Sequence, residues 1–381
     1  MPDAPEDQSE NQSPKILHVF SSLELGGAQR RFIDFVSRSK AGFSHSVYAM
    51  DGNYDALKLT GDIDQPWGQS SVVPKGNTWA AMKITRRLLK EAKPDLLVTY
   101  NWGAVEWALG NRFFPVCPMV HIQDGFTEDE LKGEIGKRRL VRGFAYRGCR
   151  AVVVPSKTLE RVAKKSWHIH PERLKYIANG IDIERFKAPA DAAILNELGI
   201  DPAKQTIGTV SGLRPEKNIG RLVEAFSLIE NDMPNAQLVI VGDGVGMAAL
   251  KMLASRVCKK GNVIFTGSMA NPEAILPAFT LFALSSDTEQ MPLTVIEAMA
   301  AGLPVVSTDV GDIATMISEE NISYIEGQTA PDLAKNITAL LKDQNTAKII
   351  GEANAAKAAE SFEIEKMVAS YDALFTACTG K

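Results

Sequence analysis

The chain predicts an α/β fold of two doubly wound domains facing a cleft, and two observations carry that prediction. Short apolar runs alternate with amphipathic stretches through both halves, the pattern of parallel strands joined by helices. At 381 residues the chain outgrows one hydrophobic core. The halves also differ in charge. Residues 15–180 hold 26 Lys+Arg against 16 Asp+Glu, net +10, and residues 181–381 hold 16 against 26, net −10.

Composition narrows the classes. The residues 1–14 are polar and acidic and read as a disordered tail. No apolar run approaches a membrane span and no signal peptide is evident, so a cytoplasmic chain is expected, peripheral on the inner face of the membrane at most. Cys117, Cys149, Cys258 and Cys378 are scattered, without Cys-x-x-Cys or Cys/His clustering. They read as free thiols in a reducing compartment, with no structural zinc. The basic half is suited to an anionic partner: a membrane surface, a lipid-linked phosphate or nucleic acid.

In chain order, Lys15–Ser22 reads as a buried strand, followed by Leu25-Gly26-Gly27-Ala28 and a helix from Gln29 to Ser39. A strand, glycine loop and helix place backbone N–H groups where an anion can sit; the same glycines also suit a tight turn for steric reasons alone. Ser46–Met50 is a second strand, and Thr78–Ala92 an amphipathic helix with a basic polar side. Asp62-Ile63-Asp64 imitates a metal-binding D-x-D but sits in a polar stretch, so it reads as a solvated loop. Leu96–Thr99 and Pro118–His121 are further strands; His121 and Asp124 fall where a strand end meets the cleft. A lone histidine most often serves packing. Residues 132–150 form the most basic segment, with Lys137, Arg138, Arg139 and Arg142 opposite an apolar side. It reads equally as a helix lying on an anionic membrane or as a solvated helix face. No aromatic platform interleaves the charge, which argues against nucleic acid.

In the second half Thr206–Val210 is a strand, and Arg214 and Lys217 flank the turn at its end. Arginine can clamp a phosphate with two bonds and lysine adds a point charge. Gly242-Asp243-Gly244-Val245-Gly246 imitates a dinucleotide fingerprint, but Met247 replaces its third glycine and no acidic residue follows at the required distance, so NAD is not expected. Val263–Gly267, with Phe265, is a strand and turn.

The densest stretch is Asp287–Asp312. Glu289 and Glu297 are separated by seven residues, with Met291, Pro292, Leu293 and Thr294 between them, and small residues follow up to Gly302 and Pro304. Proline suits a helix start, and glycine with proline its end, so the stretch reads loop, helix, strand. The amides of Leu293, Thr294 and Val295 then face an anion. Any isolated glutamate pair at this spacing reads as solvated surface acids. Set around a phosphate-binding helix end, two carboxylates suit a ligand with hydroxyls on both sides of a phosphate, such as a nucleotide sugar.

E-x7-E followed by A-M-A-x-G-x-P-V-V resembles the donor-site motif of retaining glycosyltransferases of family 4, which have the GT-B fold of two Rossmann-like domains. Gly26-Gly27 with Arg30, Asn179-Gly180-Ile181-Asp182, the loop 211–218 and the terminal F-x-x-E-K-M-x-x-x-Y resemble other passages of that family. Gln290 stands where the family usually has glycine, and Gly212 where it usually has arginine. The resemblance implies an acceptor-binding domain over 15–185, a nucleotide-sugar donor domain over 186–358, and a C-terminal helix over 359–381 returning to the first domain. It implies that Glu297 holds ribose and Glu289 orients the sugar. Arg214, Lys217, Gly26, Gly27, Met291, Pro292, Leu293 and Thr294 attend the diphosphate, while Gly242 and Phe265 lie near the nucleotide. It makes His121, then Asp124, the candidate nearest donor sugar or acceptor, and assigns no essential metal and no cofactor. Uridine is the base the family favours; a glycan or lipid-linked acceptor fits the basic half. Rival readings are an epimerase or pyridoxal-phosphate phosphorylase of the same fold, and a catalytically silent sugar-binding scaffold.

Overall fold

A computed structural model describes residues 13–24, 26–60, 63–67, 73, 78–126, 130 and 133–380. Leu25, Asp62, Leu131 and Lys132 lie outside the described residues. The first sheet contains β1 (Lys15–Phe20), β2 (Ser44–Ala49), β3 (Leu96–Tyr100), β4 (Met119–Ile122), β5 (Ala151–Val154) and β6 (Leu174–Tyr176). Its strands are all parallel, in the order β2-β1-β3-β4-β5-β6. Strands of this kind are covered on both faces, which explains the unbroken apolar runs seen in β3 and β5.

The crossover helices divide between the two faces. α1 (Gly27–Arg38) lies on one. α2 (Thr78–Ala92), α3 (Val105–Phe113), α4 (Gly136–Tyr146) and α5 (Lys157–Lys165) lie on the other, around the buried Trp107 and Trp167. Asp64 joins the sheet margin: its carbonyl accepts from Val47 N at 2.9 Å.

The second sheet contains β7 (Gln205–Val210), β8 (Ala236–Val241), β9 (Val263–Gly267), β10 (Leu281–Leu284) and β11 (Val305–Ser307), parallel in the order β11-β10-β7-β8-β9. Its helices are α6 (Ala192–Glu197), α7 (Ile219–Ile229), α8 (Met247–Val257), α9 (Leu293–Ala300), α10 (Ile313–Met316), α11 (Ala330–Lys342) and α12 (Gln344–Ser361). α7 and α11 cover one face and α9 the other. Both sheets reverse their strand order near the middle, and in such sheets ligands gather at the carboxyl ends of the strands, where the two domains meet.

The last helix, α13 (Ile364–Thr379), returns to the first domain. Ile364, Met367, Val368, Tyr371 and Phe375 are buried against Phe32, Phe35 and the first sheet. Ile181 N donates to Phe362 O at 2.9 Å and Ile364 N to Ile181 O at 3.0 Å, so the outgoing and returning chains cross side by side. Among the described residues no helix is long and apolar enough to cross a membrane.

Candidate active site

The loop expected from sequence to meet the donor, called the donor loop for that expectation, runs from the end of β10 to the start of α9. It is fastened to the loop after β7 by bonds that involve both partners' backbones. Asp287 N donates to Glu216 O at 2.9 Å, Ser285 Oγ to Lys217 O at 3.1 Å, and Arg221 to Ser285 O at 2.7 Å. Asn218, in the left-handed region at φ 44°, caps α7. These bonds bring Lys217 Nζ to 2.6 Å from Glu289 Oε1, and Ser286 Oγ donates to the same oxygen at 2.8 Å. Lys217 and Glu289 are both largely buried, with side chains 17% and 9% exposed. Arg214 stands outside this pair, mostly exposed and 3.0 Å from Glu216.

Met291 is buried, and its carbonyl accepts from Asn179 Nδ2 at 2.8 Å. Pro292 is the N-cap of α9. Val295 N bonds back to Pro292 O at 3.2 Å, so the expected three-amide anion site narrows to Leu293 and Thr294. A β-carbon on Gly27 would lie 3.5 Å from Leu293 Cδ1. Gly26, the N-cap of α1, and Gly27 therefore bring the N-terminus of α1 against that of α9. Two positive dipole ends, one from each domain, are thus neighbours, and the loop leading into the second carries Glu289 with its partner Lys217.

Glu297, one turn into α9, stands among charges contributed by three other segments. Arg30 and Asp34 come from α1, Nε to Oδ2 at 3.5 Å. Arg185 comes from the interdomain turn and pairs with Glu273. Burial pushes the Glu297 carboxyl up to about 7; Arg30 and Arg185 pull it down, and Glu273 and Asp34 push it further up. A carboxyl poised at that value becomes a pure and stronger acceptor for ligand hydroxyls as it ionises.

Gly242, at φ 139°, seats the next loop: a β-carbon there would come within 1.9 Å of Ser211 O. Its visible role is this close approach of two loops. Phe265 is half-buried on the edge strand β9, packed on the core with Lys251 Nζ 5.9 Å from its ring.

On the acceptor side three expectations change. His121, expected at the cleft, is fully buried. Thr99 Oγ1 lies 2.9 Å from its Nδ1 and Gln123 Oε1 3.2 Å from its Nε2, and its ring stacks on Tyr146 at 3.6 Å. Burial lowers it to about 3, so it is a neutral packing residue. Strand alternation turns it into the helical layer, and it is Asp124, beyond the strand end, that reaches the margin. Asp124 pairs with the buried Arg31, and its amide donates to Asn101 Oδ1 at 2.7 Å. Arg31 also donates to Asn179 Oδ1 at 2.9 Å. Asn179 thus links Asp124 to the Met291 carbonyl.

The quartet expected to face a membrane or acceptor divides. Lys137 and Arg139 are exposed. Arg142 is fully buried, making two bonds to Glu130 at 2.8 and 2.6 Å and one to Glu134 at 3.0 Å, with the rings of Trp102, Phe126 and Trp167 around it. Arg138 turns inward to Glu130 and Trp102. Buried carboxylates and aromatic faces claim these two arginines.

Sequence reasoning passed over Gln290, Ser156 and Asp312. Ser156 Oγ donates to Gln290 Oε1 at 3.0 Å, and Asp312 Oδ1 accepts from Thr158 N at 2.9 Å, capping α5 from the other domain. Gln290, where the resembled family has glycine, is thus an interdomain tie. The departure from the motif was its only sequence signal.

The family profile described as Glycosyltransferase Family 4 matches residues 25–185, and that described as Glycosyl transferases group 1 matches residues 191–357. The chain is 26% identical over 290 residues to a UDP-Gal:alpha-D-GlcNAc-diphosphoundecaprenol alpha-1,3-galactosyltransferase of Escherichia coli, covering 74% of this chain and 75% of that protein. It is 29% identical over 180 residues to the N-acetyl-alpha-D-glucosaminyl L-malate synthase of Bacillus anthracis, a match that spans 47% of each protein. The structure of Anabaena Alr3699/HepE in complex with UDP and glucose superposes with a TM-score of 0.79 at 20% identity, over 95% of this chain and 99% of that one. WaaG, a glycosyltransferase involved in lipopolysaccharide biosynthesis, superposes at 0.71 with 19% identity, over 96% of this chain and all of that one (100%). With Glycosyltransferase Family 4 matched over the first domain and Glycosyl transferases group 1 over the second, the chain belongs to the glycosyltransferases that these two models describe, and the solved structures share its GT-B fold.

Proposed function

We propose that the protein is a metal-independent retaining hexosyltransferase that uses a nucleoside diphosphate sugar, UDP-linked, and a glycan or lipid-linked acceptor of envelope polysaccharide, lipopolysaccharide or glycolipid synthesis. The observation that carries this reading is the approach of two helix N-termini, the second entered by the loop that holds the Lys217–Glu289 pair, with Glu297 one helical turn further on. The amides of Leu293 and Thr294, the Gly26-Gly27 loop and Lys217 take the diphosphate; Arg214, free to swing in from the surface, adds a second cation. These groups supply the positive charge that a metal provides elsewhere. Glu297 accepts from the ribose hydroxyls and Glu289 from a hydroxyl of the sugar.

In the transfer, the bond between the anomeric carbon and the diphosphate oxygen breaks. The acceptor oxygen bonds to that carbon on the same face, and its proton passes to the departing phosphate oxygen. The helix ends and Lys217 stabilise the charge left on the diphosphate. The uridine and the envelope setting draw on the relatives: a UDP-galactose enzyme acting on a diphosphoundecaprenol, and a structure holding UDP and glucose.

Calorimetric titration with UDP, GDP and ADP, with magnesium or chelator, tests the site. Chelator-insensitive binding of UDP is expected, and it weakens in Lys217→Ala. Binding only with metal, or of no diphosphate, overturns the reading.

A further inference from the structure

The first domain carries an apolar surface built from three helices, away from the residues assigned to sugar transfer. Trp79 is 65% exposed at the start of α2, Phe113 48% at the end of α3, and Leu140 and Phe144 are 73% and 46% exposed on α4. They form one cluster: the rings of Trp79 and Phe113 are 6.2 Å apart, those of Phe113 and Phe144 5.1 Å, and Leu140 lies one turn from Phe144. Four large exposed apolar side chains in one cluster, rather than scattered singly, mark an interaction surface.

Its charge says what it meets. On α2 the residues Trp79, Lys83, Arg86 and Lys90 recur at helical spacing along one stripe, the apolar residue at one end and three cations beyond it. On α4 Lys137, Leu140 and Phe144 form a second stripe, with Arg139 exposed beside it. Arg86 lies over the Phe114 ring at 4.8 Å and Arg112 over the Phe144 ring at 5.7 Å, so cations and aromatic rings are interleaved at the same level. The three helices carry two acids, Glu91 and Glu106, and Glu91 is 3.7 Å from Arg87. A protruding Trp/Phe/Leu cluster ringed by Lys and Arg suits the headgroup region of an anionic bilayer, where rings enter the interface and cations meet lipid phosphates.

We infer that this three-helix face, centred on Trp79, Phe113, Leu140 and Phe144, docks the protein on anionic phospholipid. The docking face includes Lys137 and Arg139 and excludes the inward-turned Arg138 and Arg142. It does not depend on the transfer reading, since none of these residues lies in the nucleotide site.

The test is co-sedimentation of the full chain with vesicles of phosphatidylcholine alone or of equimolar phosphatidylcholine and phosphatidylglycerol. Binding is expected only to the anionic vesicles, with release by salt and a blue shift of tryptophan emission that Trp79→Phe abolishes. Lys137→Glu/Arg139→Glu should weaken binding by at least about tenfold, as should Trp79→Ser/Leu140→Ser, while UDP affinity stays at the wild-type value in the same samples. UDP affinity reports fold and site independently, so a failed docking surface and a failed nucleotide site give different results. Equal binding to both vesicle types, no binding, or unchanged binding by both double variants overturns the inference. So does lipid-free self-association, seen by ultracentrifugation, that the same variants abolish; the face would then join copies of the chain.

Discussion

The donor loop and the basic helix α4 were both conspicuous in sequence, yet they met different fates on folding. In the loop before α9 and its first turns, Glu289, Pro292, Leu293, Thr294 and Glu297 keep the arrangement read from the chain, because a loop and a single helix start position them relative to one another. In α4 the four cations look equivalent along the chain, but Glu130, Glu134 and three aromatic rings draw Arg142 inward and leave Lys137 and Arg139 outside. An arrangement made by local backbone geometry carries over from sequence to structure with little change, here the loss of one amide of three. A site made by choosing among like charges waits for the tertiary neighbours that do the choosing.

The largest effect should come from the donor loop. Lys217→Ala removes the cation paired with Glu289 in the loop that leads into α9. Transfer should fall by about 10²–10³, the range for losing one preorganised charge-stabilising donor, with the fold intact by circular dichroism. Activity within a few-fold of wild type would break the comparison at its stronger side.

Arg142→Ala tests the other side. It strands Glu130, whose side chain is fully buried, and should cost about 3–5 kcal/mol in denaturant unfolding, the range for removing one partner of a buried ion pair. The same variant should keep UDP affinity while folded. A stable Arg142→Ala protein with lost vesicle binding would return Arg142 to the surface role expected from sequence.

A smaller effect concerns pH. The Glu297 carboxyl, ordinarily near 4.5, is raised to about 7 in the fold. Its contribution to stability is therefore fully present below pH 4.5 and is lost as pH rises through 7. Affinity for UDP-glucose, whose diphosphate does not titrate in this window, should rise over the same range as the carboxylate forms. Glu297→Gln should flatten that rise, read by calorimetry between pH 5.5 and 8 in steps of about one unit. A rise that persists in the variant assigns it to another group.

The smallest effect should come from Gln290→Gly, which restores the residue usual in the family and deletes the bond from Ser156. Loss of one neutral hydrogen bond predicts about 1 kcal/mol in unfolding, with UDP affinity changed little. A large loss of affinity would show that the interdomain tie also shapes the donor loop.

The alternating strands, the two-sheet organisation and the donor motif were legible because each is written in contiguous residues: apolar runs, glycine and proline punctuation, and two glutamates at fixed spacing. His121 was misplaced because its position at a strand end was readable but its side of the sheet was not. Thr99 and Tyr146, which claim its ring, come from a neighbouring strand and from α4. Burial raises the Glu297 carboxyl, and Arg30, Glu273, Arg185 and Asp34, which adjust it, come from segments far apart in the chain that no local pattern joins.

The sequence by itself determined where strands, helices and the donor loop form, since dihedral preference, capping and apolar period act over a few residues. Only the tertiary structure decided which cations face water, which carboxyl is held near neutrality, and that Gln290 and Asp312 tie one domain to the other. Those outcomes depend on burial and on charges a few ångströms away, and such neighbours exist only once the two sheets are packed.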